Sequence, residues 1–151
     1  MKTKVETVTY PNGQKQRETP YVNGQIHGLA TWWYKNGQKL YEVPYVNGQV
    51  HGIATWWHDN GQKQRETPYV NGQIHGLEIW WHESGQKWNE IPYVNDQKHG
   101  LETWWLSGGS LGFVRKWHQG QLVWEINLYY KEQILENAEV ELFFHETLEV
   151  I

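Results

Sequence analysis

Cysteine is absent from the 151 residues of this sequence. That excludes disulfides, thiolate nucleophiles and sulfur-rich metal sites, and leaves the redox character of the compartment open. Long apolar runs are missing too. The mean hydropathy is −0.78, and no stretch is long enough to span a membrane as a helix. The first ten residues, MKTKVETVTY, lack the apolar core of a secretion signal, so a cytoplasmic location is the expectation. Charge of one sign is also lacking: thirteen Lys and Arg against seventeen Asp and Glu give a net charge of −4. With no basic stripe for phosphates and no acidic tail, nucleic acid is not an expected partner. So polar a chain would be disordered but for its 11 Trp and 9 Tyr, whose large buried area drives ordering.

What is present is repetition. Tyr21, Tyr45, Tyr69 and Tyr93 are 24 residues apart, and so are His27, His51, His75 and His99. The Trp pairs at 32/33, 56/57, 80/81 and 104/105 keep the same interval, and residues 12–29 and 60–77 are identical letter for letter. A fixed period of this size signals a repeat array. Each unit carries two turn signals, VNGQ and NGQK. Asn-Gly is the strongest short hairpin signal, because a type I′ turn needs positive φ at both central residues. Two turns per unit leave strands of about eight residues, hence an antiparallel meander with two strands per repeat and about eleven in all. The β-branched and aromatic content disfavours helix. The expected fold is all-β, a single-layer antiparallel array over residues 1–125, with a capping segment at 126–151.

Two-residue loops set a register. A loop at Asn23-Gly24 places Tyr21 opposite Ile26 and Thr19 opposite Gly28. A loop at Asn36-Gly37 places Tyr45 opposite Gly28, Val43 opposite Ala30 and Tyr41 opposite Trp32. Opposed residues share a face. One face therefore carries Tyr21, Ile26, Ala30, Trp32, Tyr34 and Tyr41, and the other carries Pro20, Val22, His27, Leu29, Thr31 and Trp33. Adjacent Trp residues point to opposite faces, so each repeat supplies one ring to each side of a sheet with no second layer. Gly28 leaves bare backbone on which a cross-strand Tyr can lie.

The pattern YxNGxxHGxxxxWWxxNGQK resembles the MORN repeat, and more closely the variant of bacterial YwqK-like antitoxins. The resemblance covers residues 5–125. It rests on the steps His27-Gly28, His51-Gly52, His75-Gly76 and His99-Gly100 together with the paired Trp and NGQK marks. The fifth copy departs: KWHQGQLVWE has Val123-Trp124 where HG should stand, and SGGS at 107–110 replaces NGQK. Residues 126–151 fall outside the resemblance and read as helix or strand equally. The resemblance implies binding, with lipid association proposed for some MORN-like repeats and toxin neutralisation by contact for the YwqK-like group. It implies no catalytic residue.

Neighbouring HG histidines lie two strand spacings apart, roughly 9–10 Å, too far to share an ion whose ligands sit about 2 Å away. His58 and His82 have the same spacing and the opposite face. Glu18, Glu42, Glu66 and Glu90 form a column, but repeat symmetry gives no carboxyl an environment different from the next, as acid–base catalysis requires. No nucleophile elbow, Walker loop or dinucleotide fingerprint is present. The chain is expected to be a non-enzyme with no cofactor and no metal.

The Trp33 column (Trp33, Trp57, Trp81, Trp105) shares its face with positions that keep Val, Pro and Leu or Ile in the copies, and reads as packing. The Trp32 column (Trp32, Trp56, Trp80, Trp104) shares its face with the positions that change. These are Arg17, Tyr41, Arg65 and Asn89; Ala30, Ala54, Glu78 and Glu102; and Tyr34, His58 and His82. Variation beside exposed aromatics is what a recognition surface requires. The partner-binding face is therefore expected here, and the partner is expected to be another protein, a toxin or effector, covered by the sheet. The rival reading is a glycan stacked along the ladder. Membrane association is disfavoured by the acidic charge. Self-association through an edge or face is compatible with the leading reading.

Overall fold

The computed structural model describes residues 2–128. Fifteen strands form one open antiparallel sheet: β1 (Thr3–Thr9), β2 (Lys15–Val22), β3 (Gln25–Ile26), β4 (Gly28–Trp33), β5 (Lys39–Val46), β6 (Gln49–Val50), β7 (Gly52–Trp57), β8 (Lys63–Val70), β9 (Gln73–Ile74), β10 (Gly76–Trp81), β11 (Lys87–Val94), β12 (Gln97–Lys98), β13 (Gly100–Trp105), β14 (Leu111–His118) and β15 (Gln121–Asn127). Eleven of them succeed one another in a meander, and the four two-residue strands extend alternate members of that path. Among the described residues there is no helix and no second layer. The sheet runs on to Asn127, two residues past the expected boundary, and Leu128 N–H donates to the Gly112 carbonyl at 2.7 Å. The remainder of the expected capping segment lies outside the described residues.

The two Asn-Gly turns differ. At VNGQ both central residues are left-handed, with φ +50° at Asn23 and +85° at Gly24, as a type I′ hairpin requires. At NGQK only the glycine is left-handed: Gly37 has φ +87°. There Tyr34 N–H donates to Gln38 O at 2.8 Å and Gly37 N–H to Tyr34 O at 3.0 Å, a three-residue loop ending in a glycine bulge. The expected two-residue loop is thereby corrected. A register shift between Trp32 and Trp33 absorbs the difference. Trp32 still meets Tyr41, while Trp33 meets Lys39.

A larger correction concerns the HG step. The β2–β3 ladder pairs Tyr21 with Ile26, but the β2–β4 ladder pairs Glu18 with Thr31. His27-Gly28 is looped out, which moves Thr19 off Gly28 and toward Ala30. The cause is Pro20. It has no N–H to donate, so it contributes only its carbonyl, which accepts from His27 N–H at 3.0 Å. Because the slip is two residues, every side chain stays on its expected face. Gly28 has φ +108°, and a Cβ there would sit 3.2 Å from Pro20 Cγ. The neighbour that requires glycine is thus the proline ring rather than a covering Tyr.

The HG histidines tie one repeat to the next. His27 Nδ1 lies 3.3 Å from the Asn47 backbone N–H and 3.2 Å from Asn47 Oδ1, and His51 Nδ1 makes the same two contacts with Asn71. At the other edge Tyr10 O–H donates to the Trp33 carbonyl at 2.7 Å, Tyr34 O–H to Trp57 at 2.9 Å and His58 Nε2–H to Trp81 at 3.0 Å. Gly76→Ala is expected to destabilise more than Gly72→Ala. Both are left-handed, but a Cβ at 76 meets Pro68 at 2.9 Å whereas one at 72 meets nothing within 4 Å. The difference expected from thermal or urea unfolding of the two variants is about 1–3 kcal/mol.

Candidate functional site

The register gathers eight of the expected site residues into one row across nine strands. Arg17 pairs with Trp32, Trp32 with Tyr41, Tyr41 with Trp56 and Trp56 with Arg65. Arg65 pairs with Trp80, Trp80 with Asn89 and Asn89 with Trp104, and the row ends at Phe113. The position that varies between copies is therefore the spacer between successive Trp rings. Trp32 and Tyr41 stack at 4.4 Å, Tyr41 and Trp56 at 6.4 Å, and Trp104 and Phe113 at 4.9 Å. Arg65 lies 3.6 Å from the Trp56 ring and 4.8 Å from the Trp80 ring, a cation held between two indoles. These rings are half-buried against each other, and stacking at such distances leaves no slot for sugar rings along the row.

Beside it runs a row of smaller residues, and here the expectation of an open recognition face is reversed. In this row Ala30 and Ala54 are fully buried and Glu78 (6% exposed) and Glu102 (1%) are buried, as is Asn89 (1%) of the Trp row. Those three cannot meet a partner in this conformation. Tyr34 and His58 are already engaged with the next repeat's carbonyls, so they too serve cohesion. His82 is the exception among the row's outer residues. Its Nε2 is buried and has no hydrogen-bond partner among the described residues, and the same holds for Arg17 Nε. The small row closes because rings flank it on both sides: the Trp row, and a row of Tyr21, Tyr45, Tyr69 and Tyr93.

The opposite face, expected to pack, is the open one. Leu29 is 48% exposed, Ile53 57% and Leu77 43%. They face Pro44, Pro68 and Pro92 across the ladder, with exposed Val46, Val70 and Val94 along one border. Along the other border Lys15, Lys39 and Lys63 lie over the rings of Trp33, Trp57 and Trp81 at 5.4–5.8 Å. The same lysines and Lys87 pair with the Glu18, Glu42, Glu66 and Glu90 column. Such surface pairs contribute little each, but they leave the column as a uniform ladder of ion pairs.

Glu102 and several tyrosines of the closed face carry shifted acidities: burial raises Tyr34, Tyr41, Tyr69 and Tyr93, while Glu102 is lowered. Burial pushes the Glu102 carboxyl up, but hydrogen bonds from Trp104, Lys98 and Trp117 and the Lys98 charge outweigh it and hold the group below the usual value. Trp104 Nε1–H donates at 2.8 Å, Trp117 Nε1–H at 2.6 Å and Lys98 Nζ at 3.0 Å. Tyr93 is pushed up to about 12, chiefly by burial and then by the charges of Glu78 and Glu102. No group of three or more His, Cys, Asp or Glu among the described residues could hold a metal ion.

Trp88 was not singled out in the sequence. It occupies the bulge position held by Gln16, Leu40 and Gln64 in the other copies, and its ring lies 5.8 Å from Trp80, 6.0 Å from His82 and 4.6 Å from Trp104. Breakage of its own 24-residue column was the available signal.

The Glu102 geometry makes an acid-side prediction. Its lowered value means that its contribution is present above the unfolded carboxyl's pKa, about 4.3, and is lost as pH falls through the folded value. Glu102→Gln should flatten the dependence of Tm on pH below about 4.3 and, by leaving indole donors poorly paired, lower stability at neutral pH by about 1–3 kcal/mol. Tyr93 has the opposite sign: its contribution is present below the free phenol's pKa, about 10, and is lost as pH rises through about 12. Absorbance at alkaline pH should show late phenolates from the buried tyrosines, with the latest component, near pH 12, removed by Tyr93→Phe.

A family model described as MORN repeat variant matches residues 3–23, 26–47, 50–71 and 74–95. Each matched span after the first runs from one short strand, through the HG bulge and the Trp pair, to the next Asn of a type I′ turn. The β13–β14 hairpin repeats this geometry beyond the last matched residue. No curated protein matches the chain. With more than half of its length in matched repeats, and those repeats forming the open meander described above, the chain belongs to the MORN repeat variant family.

Proposed function

We propose that this protein is a non-enzymatic protein-binding module that docks its partner on the Leu29 face. The observation that carries the reading is the regular exposure of Leu29, Ile53 and Leu77 at one apolar step per repeat. Large exposed apolar patches rimmed by polar groups mark interaction sites, and here the rim is the Lys–Glu ladder. The steps recur at roughly 9–10 Å, two strand spacings, which suits a partner that lies across several repeats. Burying each Leu or Ile contributes about 1.5–3 kcal/mol before the costs of association. In its specific form the reading makes the partner a toxin or effector whose working surface the sheet covers. The support for that form is the resemblance in the HG, Trp-pair and NGQK marks. A uniform column of paired carboxylates, with none set apart from the next, supports the non-enzymatic part.

The test is affinity capture from the native host with the unaltered chain and with Leu29→Ser, Ile53→Ser and Leu77→Ser combined. These side chains are exposed, so circular dichroism should be unchanged while captured partner falls at least about tenfold. Full retention of partner by the triple variant would refute the assignment of this face. Trp32→Ala with Trp56→Ala is expected instead to lower Tm, because those rings hold strands together.

A further inference from the structure

A repeat protein exposes its specialised sites where one copy differs from the others, and the third and fourth copies differ at one place in space. In the earlier copies, two side chains bind each NGQK turn to the following one. The first is the residue at 10, 34 or 58, which donates to the carbonyl of the Trp 23 residues later. The second is the turn Asn: Asn12 Nδ2 donates to Lys35 O, Asn36 Nδ2 to Asp59 O and Asn60 Nδ2 to Glu83 O. At the next step both fail. Ser84 replaces the Asn and is too short to repeat its bond. His82 stands where Tyr10, Tyr34 and His58 stood, but its Nε2 has no partner among the described residues. The loop beyond it, closed by Leu106 N–H to Ser110 O at 2.8 Å, is the SGGS departure. The turns are left apart, and a cavity of about 800 Å³ lies there, reaching from His58 to Ser107.

The same copy places Trp88 in that cavity wall, beside Trp80. Elsewhere in the row the rings run nearly parallel, at 21° and 28°. Trp88 stands across the stack, at 57° to Trp80 and 65° to Trp104. The remaining wall mixes the Trp81 ring and the imidazoles of His58 and His82 with Gln64, Gln86, Ser84, Ser107 and Glu83. No Lys or Arg among the described residues lines it.

We propose that this cavity binds a neutral carbohydrate, one to three sugar rings long, seated against Trp80 and Trp88. The cavity's size is that of small-ligand sites. Its lack of cations and its one carboxylate disfavour phosphates and acidic sugars. Its open, amide- and hydroxyl-rich rim disfavours a purely apolar ligand, which needs a dry enclosure. A pyranose fits both halves: its C–H face packs on an indole's electron-rich face, and its hydroxyls reach the rim. The site is independent of the Leu29 face and of any protein docked there.

The test uses the full chain labelled with 15N, whose 11 Trp report separately through their indole N–H signals. Cellotriose, chitotriose and maltotriose are titrated in turn, with adenosine as a planar heterocycle for comparison. At least one sugar should shift the Trp80 and Trp88 signals saturably. Trp88→Gln, which installs the residue found at positions 16 and 64, should fold normally and weaken that binding about tenfold. His82→Tyr, which restores the residue of the first two copies, should weaken it as well. Absence of saturable shifts with all three sugars overturns the proposal. So does undiminished binding by Trp88→Gln, and so does saturation by adenosine alone, which would assign the cavity to aromatic heterocycles. Leu29→Ser, Ile53→Ser and Leu77→Ser should leave the titration unchanged, so failure of one reading does not imply failure of the other.

Discussion

A sheet with no second layer must cover itself, and most features of this protein follow from that constraint. In a two-layer domain small residues are buried by the opposing layer. Here Ala30 and Ala54 are buried within a single layer, in a row flanked by rows of indole and phenol rings. Hydrophobic burial therefore acts sideways, along the face, between residues brought side by side by strand register. It works only while the strands keep their pairing, so cohesion depends on bonds between neighbouring repeats rather than on a central core. The imidazole Nδ1 acceptors of the HG histidines and the hydroxyl and imidazole donors of the NGQK turns supply such bonds at the two edges.

The proline–HG pair solves a second problem. A proline within a sheet removes a ladder donor, and here one recurs at every repeat, at 20, 44, 68 and 92. The opposing strand answers by looping out two residues, His and Gly, of which the Gly must be left-handed and must lack a side chain to clear the ring. The looped histidine is then free to reach the turn of the following repeat. One backbone irregularity thus sets both the local register and the attachment between repeats, which accounts for proline, histidine and glycine recurring together.

The division of labour between faces has functional consequences. Rings that stack on one another at 4.4–6.4 Å are occupied in holding strands, whereas leucine and isoleucine opposite proline have no larger neighbours to close over them. The second set is left exposed. The closed face loses its regularity around Trp88 and His82, where a cavity of about 800 Å³ lies. There, too, uncharged or apolar positions of the small row give way to Glu78 and Glu102, the latter held by two indoles and a lysine.

Turn chemistry and the period-two alternation of strands determined the strand order, the pairing of Tyr41 with Trp32, and the face to which each Trp belongs. These are local properties, set by loop length and by the parity of a side chain's position, and a two-residue slip at His27-Gly28 does not alter parity. The three-residue form of the NGQK turn was hidden because Asn-Gly serves both loop types and the bulge at Trp32/Trp33 restores the same pairing. The tertiary structure alone decided which face is closed and which open. Leu and Pro in every copy read as a core, and varied polar residues read as a surface. Burial, however, depends on the sizes of side chains lying beside one another across several strands, and that comparison cannot be made until the strands are laid in register. The gap around His82 divides in the same way: Ser84, Trp88 and the SGGS loop are visible departures from the repeat, but the missing bond of His82 shows only when the turns lie side by side.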